Sequence, residues 1–266
     1  MFSGSVDIIT EHFSSVNREA VQQVFGERAS FYVDSKAHAD QEVLERVRQL
    51  CGDLDGRAVL DVATGTGHTA LKLAPLARRV VGFDITRRML SLAEDTAMQR
   101  GVGNCSWVLG DVSSLPFPDR SFDVVCSRRA PHHFPDLKAA LKEMVRVLKT
   151  GGTMVIDDRS VPDDEEVART MNALDRLHDR SHVREYGVKE WRGALSGAGL
   201  LVREVQEYRR HLPLTSLTGN AERADAAEIE RAVSALPEGL RKRMAMEELD
   251  ETTFLDHYFV TIKATK

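Results

Sequence analysis

The chain of 266 residues is long enough for one large α/β domain or two small ones, and its 42% hydrophobic and 29% charged residues are ordinary for a soluble globular protein. Its net charge of −5, with basic residues scattered among acidic ones, excludes the basic face of a nucleic-acid-binding protein, so we expect no nucleic-acid partner. No apolar run approaches the ~18 residues of a membrane span and no signal peptide is visible at the start, which predicts a cytoplasmic protein.

The first predicted element is a helix around residues 43–50, where apolar residues recur at the helical spacing. Apolar runs then alternate with amphipathic helices. Strands are predicted over residues 58–63, 79–85, 105–111, 121–128 and 153–158, and helices over residues 68–77, 87–100 and about 136–149. This alternation indicates parallel strands joined by right-handed crossovers. The expected fold is therefore a Rossmann-like, doubly wound, mostly parallel sheet of seven strands.

The regular alternation of strands and helices ends after the fifth strand. Residues 160–185 are charged and helical, a helix is predicted at 189–199, and strand-like runs cover 200–208 and 255–263. We expect the last two to form an antiparallel pair. Together these patterns predict one domain over residues 1–266. It would comprise an N-terminal helical lid (1–50), a core (51–212 and 252–266) and a helical insert over the active site (213–251).

A glycine loop and three strand-end acids indicate the cofactor. Residues 65–70 read GTGHTA, which fits the G-x-G-x-x-G/A fingerprint shared by dinucleotide and S-adenosylmethionine (SAM) sites. Asp84 suits a ribose diol in either class. Asp61 would repel a pyrophosphate but attract the ammonium of SAM, and Asp111 with the backbone N–H of Val112 suits adenine. The set favours SAM; an NAD(P)-dependent oxidoreductase is the alternative enzyme.

The motifs VLDVATGTG, VVGFDIT, GDVSSLPFPDRSFDVV and EMVRVLKTGG resemble those of class I SAM-dependent methyltransferases, most of all the ubiquinone/menaquinone-biosynthesis type. Ala63 departs from the general pattern, which has glycine there. The resemblance implies that SAM is the cofactor and S-adenosylhomocysteine the product. The cofactor-binding residues that it implies are Tyr32, Asp61, Ala63, Thr64, Gly65, Thr66, Gly67, Asp84, Ile85, Met89, Gly110, Asp111, Val112, Ser127, Arg128 and His133.

The segment SRRAPHHFPD after the fourth strand is the candidate catalytic site. His132 is the best candidate base, because histidine titrates near neutral pH. Arg129 could orient an anionic or carbonyl oxygen, or form a surface ion pair instead. His133 is favoured instead for packing or capping at the start of the next helix. We expect Asp157, after the fifth strand, and His182, in the cover above the site, to line the acceptor pocket.

Residues 31–38, FYVDSKAH, resemble the family's N-terminal lid. The resemblance places Tyr32 over the cofactor and His38 beside the acceptor. A metal-dependent catechol methyltransferase would need an acid after strand four and Asp-Asn after strand five. This chain has arginines after strand four and Asp157-Asp158 after strand five, so we predict no metal site.

These observations predict a SAM-dependent methyltransferase that acts on a C or O atom of a small aromatic, quinone-like or polyketide-like molecule. A non-catalytic SAM-binding regulator is the alternative outside the enzymes. We expect a monomer or a homodimer.

Overall fold

The computed structural model describes residues 22, 25, 26, 29, 39–219, 221 and 223–266. Their centre is an eight-stranded sheet. Its strands are β1 (Ala58–Val62), β2 (Arg79–Asp84), β3 (Cys105–Leu109), β4 (Phe122–Arg128), β5 (Leu148–Ser160), β6 (Leu201–Pro213), β7 (Glu247–Leu249) and β8 (Thr252–Thr265). The order is β3-β2-β1-β4-β5-β8-β6, and β7 pairs with β8. The first five strands are parallel, whereas β8 runs antiparallel to both β5 and β6.

The helices of the described residues connect these strands or cover the sheet. From residue 41 onward they are α1 (Gln41–Cys51), α2 (His68–Leu73), α3 (Arg87–Gln99), α4 (Leu137–Val147), α5 (Glu165–His178), α6 (Val188–Gly197), α7 (Thr215–Thr218), α8 (Arg223–Ser234) and α9 (Glu238–Arg243). Short 3-10 turns follow α2 and β4, at Ala74–Leu76 and Pro131–His133. No described helix has both the length and the apolar character that a membrane crossing requires.

The predicted fold class is confirmed. β1 lies between β2 and β4 and is buried along its whole length, as its largely apolar sequence indicates. Two details differ from the sequence prediction. The sheet has eight strands rather than seven, and β5 and β6 are each 13 residues long. The additional strand, β7, has three residues that are all exposed. A strand so short and so polar carries no apolar alternation by which it could be predicted.

Three apolar cores hold the fold together. One face of the sheet packs against α1 and α2 through residues such as Val47 and Leu73, and the opposite face packs against α4 and α6 through residues such as Met144 and Trp191. A third core joins α5 to the helices of the insert. The insert is therefore packed onto α5. Whether it and the N-terminal 50 residues close over the site stays a prediction, because most of residues 1–38 lie outside the described residues.

Candidate active site

The glycine loop between β1 and α2 has the backbone of a tight cradle. Ala63, Gly65 and Gly67 all have positive φ angles, of 55°, 54° and 82°. A Cβ atom on Gly67 would lie 2.9 Å from the indole of Trp107, so the close approach of the loop to β3 needs glycine there. A Cβ atom on Gly65 would meet no atom within 4 Å. The loop thus leaves open space on the side of Gly65.

Asp61, near the end of β1, is buried and directed into the protein. Its carboxylate accepts hydrogen bonds from the Thr64 hydroxyl at 2.7 Å and from the Ala70 N–H at 3.1 Å, and the Cys126 thiol lies 3.5 Å away. Burial raises the pKa of Asp61 to about 6, and the hydrogen bond from Thr64 partly offsets this rise. The contacts of Asp61 join β1, the glycine loop and α2.

Asp84 and Asp111 lie at the same edge of the sheet. The Asp84 carboxylate accepts hydrogen bonds from the N–H groups of Gly65 and Thr86, both at 2.8 Å, and burial raises its pKa. The Gly110 N–H donates to the backbone oxygen of Asp84 at 2.9 Å, which joins the ends of β2 and β3. Asp111 accepts from the Ser113 N–H at 2.7 Å. The fold therefore brings together all three strand-end acids that the sequence indicated.

The structure also brings together the residues predicted to contact the adenine, around Ile85 and Met89. Met89 is buried on α3, and Val112 packs against the core. The Gln22 side-chain amide donates to the Ile85 carbonyl oxygen at 3.1 Å, so a helical residue of the N-terminal segment contacts this edge. Tyr32 and His38, the two residues predicted for the N-terminal lid, lie outside the described residues.

Arg128 extends from the end of β4 towards the helix after the glycine loop. Its Nε donates to the Thr69 hydroxyl on α2 at 2.9 Å, and burial lowers its pKa. Its neighbour Ser127 is also buried. A cationic group is thus held beside the cradle. The sequence placed Arg128 in the site, but its anchor Thr69 was not predicted.

Arg129 turns away into a polar cluster with Asp157. Its Nε lies 3.2 Å from the Asp157 carboxylate, it donates to the Tyr208 hydroxyl at 3.0 Å, and its guanidinium lies 3.9 Å from the centre of the Phe259 ring. Asp157 also accepts from Tyr208 at 3.2 Å and from the Thr261 hydroxyl at 2.7 Å. The sequence left open whether Arg129 orients the acceptor or forms a surface ion pair. In the structure Arg129 forms an ion pair, and this pair is largely buried.

His132 is paired with Asp158. Nδ1 of His132 lies 2.5 Å from Oδ1 of Asp158, and the His132 backbone N–H donates to Oδ2 at 2.8 Å. Burial raises the pKa of Asp158 to about 7 and lowers that of His132 well below its usual value. The two-point contact fixes the imidazole orientation. Nε2 is the ring nitrogen that lies outside this contact.

Two further histidines lie beside this pair. The centre of the His132 ring is 4.0 Å from that of His133 and 5.7 Å from that of His182. Nδ1 of His133 lies 3.1 Å from the Ser181 carbonyl oxygen, and Phe25 packs edge-on against the His133 ring. His133 is thus held by packing and by a backbone contact, while all three imidazoles share one site.

Sequence reasoning missed the partners of these histidines. The sequence indicated Asp158 only as a possible metal ligand, and it did not indicate Asn172 and Ser181, which contact His182 and His133. The acidic pair Asp157-Asp158 at the end of strand five was the available signal. Within the part of the chain that the structure describes, no group of three or more histidine, cysteine or carboxylate residues is placed to hold a metal ion.

Comparison with known proteins identifies the family. Residues 60–156 match the methyltransferase domain family. The uncharacterized methyltransferase YcgJ of Bacillus subtilis is 37% identical over 190 residues, which is 71% of this chain and 74% of that protein. The YcgJ crystal structure superposes with a TM-score of 0.80 at 29% identity, covering 85% of this chain and 98% of the other.

A second relative adds a named activity. The ubiquinone/menaquinone biosynthesis C-methyltransferase UbiE of Pseudomonas putida strain F1 is 37% identical over 129 residues, and this match spans 47% of our chain and only half of UbiE. The fold also matches that of a Streptomyces coelicolor geranyl diphosphate C-methyltransferase solved with S-adenosyl-L-homocysteine, with a TM-score of 0.61 at 17% identity over 99% of this chain and 93% of that one. These matches overturn the oxidoreductase alternative. The chain belongs to the SAM-dependent methyltransferases, and SAM is its cofactor.

Proposed function

We propose that this enzyme methylates a C or O atom of a small aromatic, quinone-like or polyketide-like molecule, and that His132, oriented by Asp158, removes a proton from that molecule. The supporting observation is the buried contact of 2.5 Å between the imidazole and the carboxyl group. A hydroxyl on such a skeleton becomes nucleophilic at oxygen, or at a ring carbon, once its proton is lost. A base is therefore useful for this acceptor class.

The cradle fits the cofactor. The open space at Gly65 admits a ligand, and Asp84 is held by two backbone N–H groups with its carboxylate directed along the loop. We propose that Asp84 binds the ribose and Asp111 the adenine amino group. When bound, SAM supplies a methyl group on a sulfonium, which is already an activated electrophile. Further cofactor contacts are assigned to Ala63, Thr64, Thr66, Gly67, Ile85, Met89, Gly110, Val112, Ser127, Arg128 and His133.

Asp61 is assigned an indirect role. Its Oδ2 already accepts from Thr64 and Ala70, and its Oδ1 lies 3.5 Å from the Cys126 thiol, so it holds the loop and acts on the cofactor's ammonium through its charge across a buried site. We assign Arg129 and Asp157 to the stability of the sheet instead of to the acceptor, because each already has buried partners. His132 and His182 remain the proposed acceptor-lining residues.

The name of UbiE, a quinone-biosynthesis C-methyltransferase, supports a quinone-like acceptor and attack by carbon. His132 and Asp158 are equally suited to an O-methyl acceptor, because the same deprotonated hydroxyl is the nucleophile. Three expectations stay predictions: that the partner is a small molecule, that the protein is a monomer or homodimer, and that it has no nucleic-acid partner.

The test has two steps. Calorimetric titration with SAM, S-adenosylhomocysteine and NADH should show binding of the first two alone. Asp84→Ala should weaken that binding at least about tenfold, because it removes a buried charged hydrogen-bond partner worth ~1.5–3 kcal/mol. Purified enzyme and methyl-labelled SAM are then incubated with panels of phenols, hydroquinones and enols, and with matched amines and thiols. Transfer to the amine or thiol panel alone would contradict the proposal.

A further inference from the structure

His182 is held over the His132–Asp158 pair by its own chain segment. The N–H groups of Val183 and Arg184 both donate to the His132 carbonyl oxygen, at 2.9 and 3.0 Å. The His182 ring is almost completely buried, and its plane is tilted by 39° from that of His132. His182 therefore has a fixed position next to the proposed base.

The amide of Asn172 determines which nitrogen of His182 carries the proton. Its Nδ2 contacts two carbonyl oxygens, of Ala168 at 3.0 Å and of Glu185 at 3.3 Å. Carbonyl oxygens only accept, so this atom is the donating nitrogen of the amide. The opposite atom, Oδ1, accepts from the Glu185 N–H at 2.7 Å. The orientation of the amide is thus set from both ends.

The contact between His182 and Asn172 then has one direction. Nε2 of His182 lies 3.1 Å from Oδ1 of Asn172, and two acceptors cannot form a hydrogen bond. Nε2 must therefore be the protonated nitrogen. Burial lowers the pKa of His182, so the ring carries one proton only. Its second nitrogen, Nδ1, therefore keeps a lone pair that can accept, and it makes no hydrogen bond to any of the residues described here.

We infer that Nδ1 of His182 accepts a hydrogen bond from a hydroxyl group of the methyl acceptor, and that His182 thereby selects hydroxylated acceptors over their ether or carbonyl counterparts. This inference rests on the proposed function, because it takes His132 and His182 to face the acceptor. Nδ1 and Nε2 point to roughly opposite sides of an imidazole ring. With Nε2 bound to α5, Nδ1 points away from that helix.

The chemical reason for selection is the cost of an unpaired buried acceptor. A hydroxyl satisfies Nδ1, whereas a carbonyl or ether oxygen has no hydrogen to give and leaves two lone pairs facing each other. Sites that hydrogen-bond a substrate hydroxyl reject analogues without it far more strongly than apolar pockets discriminate by size. His182 is therefore a specificity-determining residue, distinct from the base His132.

The first experiment reads the protonation of His182 without any acceptor. Long-range proton–nitrogen NMR correlations on enzyme labelled with ¹⁵N in its histidines should show a protonated Nε2 and an unprotonated Nδ1. The signal is assigned by its loss in His182→Gln, a variant that can still donate to Asn172. In Asn172→Leu the preference for one tautomer should weaken. A protonated Nδ1 in the wild-type enzyme would overturn the inference.

The second experiment uses a matched pair of probes, resorcinol and 3-methoxyphenol, each added to the enzyme saturated with S-adenosylhomocysteine. Both have one hydroxyl for His132, and only resorcinol has a second one for Nδ1 of His182. Resorcinol should move the Nδ1 resonance of His182, and its affinity should exceed that of 3-methoxyphenol by about tenfold or more, a difference that His182→Leu removes because leucine cannot accept a hydrogen bond. An unmoved resonance, or a His182→Leu variant that keeps the preference for resorcinol, would overturn the inference. Methyl transfer from SAM to resorcinol and related phenols is scored separately. Its absence throughout would count against the proposed function, while the NMR result still decides the tautomer.

Discussion

Replacing Asp158 by asparagine should separate catalysis from stability. The carboxylate accepts the Nδ1 proton of His132 at 2.5 Å and leaves Nε2 of that ring as the basic nitrogen. The His132 backbone N–H, which donates to Oδ2 in the wild type, keeps the amide oxygen on its side, so the asparagine NH₂ group faces Nδ1. Nδ1 then becomes the acceptor and Nε2 carries the hydrogen. The base is then lost although the ring stays in place. General bases contribute roughly 10²–10⁴-fold to rate, so kcat should fall by about 100-fold or more, with SAM affinity unchanged.

Although Asp158→Asn should lose activity, it should not be less stable than the wild-type enzyme. Burial raises the pKa of Asp158 from 3.8 to about 7, so the folded state binds the proton more tightly than the unfolded state does. The carboxyl group therefore contributes most below pH 3.8, and this contribution is lost as pH rises to about 7. Above that pH, ionisation costs the fold about 4 kcal/mol at 1.36 kcal/mol per pKa unit. Asparagine avoids the cost, so at pH 8 urea unfolding should find the variant at least as stable as wild type.

The same pKa sets the pH dependence of turnover. Below pH 7 the Asp158 carboxyl is protonated and donates to Nδ1 of His132, so Nε2 holds the hydrogen. Above pH 7 the carboxylate accepts from Nδ1 and Nε2 is basic, so kcat at saturating acceptor should rise as pH passes about 7. Asp158→Asn should be low and flat. Equal turnover in the two enzymes, or a variant that keeps the rise, would refute the role of the pair.

Two other substitutions test the glycine loop and the buried ion pairs of Arg159. Gly67→Ala should lower stability by about 1–3 kcal/mol and weaken SAM binding, because its φ is 82° and the new Cβ would lie 2.9 Å from an indole ring. Gly101→Ala, where φ is 66° but no atom lies within 4 Å, is the matched control and should leave SAM binding intact. Arg159→Leu should cost about 3–5 kcal/mol in urea unfolding, because it leaves the buried carboxyl groups of Asp175 and Glu185 without their cation. A loss below about 1 kcal/mol would show that these two buried ion pairs do not stabilise the fold.

Periodicity and turn chemistry were sufficient to predict the fold. The buried run of β1 and the amphipathic stripe of α4 are local patterns, and local patterns determine elements and the right-handed crossovers between them. The position of the cofactor edge followed from the same information, because parallel strands place their carboxyl ends together. The acids Asp61, Asp84 and Asp111 could therefore be found without coordinates.

The partners within the acceptor site could not be predicted in this way. His132 and Asp158 are 26 residues apart, and Asn172 contacts His182 across the turn that follows α5. Which nitrogen of a histidine carries the proton depends on such contacts and leaves no mark on the spacing of residues. The insert was predicted as helical from its composition, but its packing on α5 depends on a few apolar residues, Leu217, Ile229 and Val233 among them.

Asp157 and Asp158 show why neighbouring residues of one type can have different roles. Successive side chains of a strand point to opposite faces of the sheet. Asp157 follows Val155 onto the face of α1 and α2, where Arg129, Tyr208 and Thr261 surround it. Asp158 follows Ile156 onto the opposite face and meets His132. Asp157→Asn is therefore the matched control for Asp158→Asn. It should lower stability, because Arg129 loses its buried counter-charge, and it should leave the pH profile of kcat unchanged. A profile altered by Asp157→Asn alone would instead assign the chemistry to the face of α1.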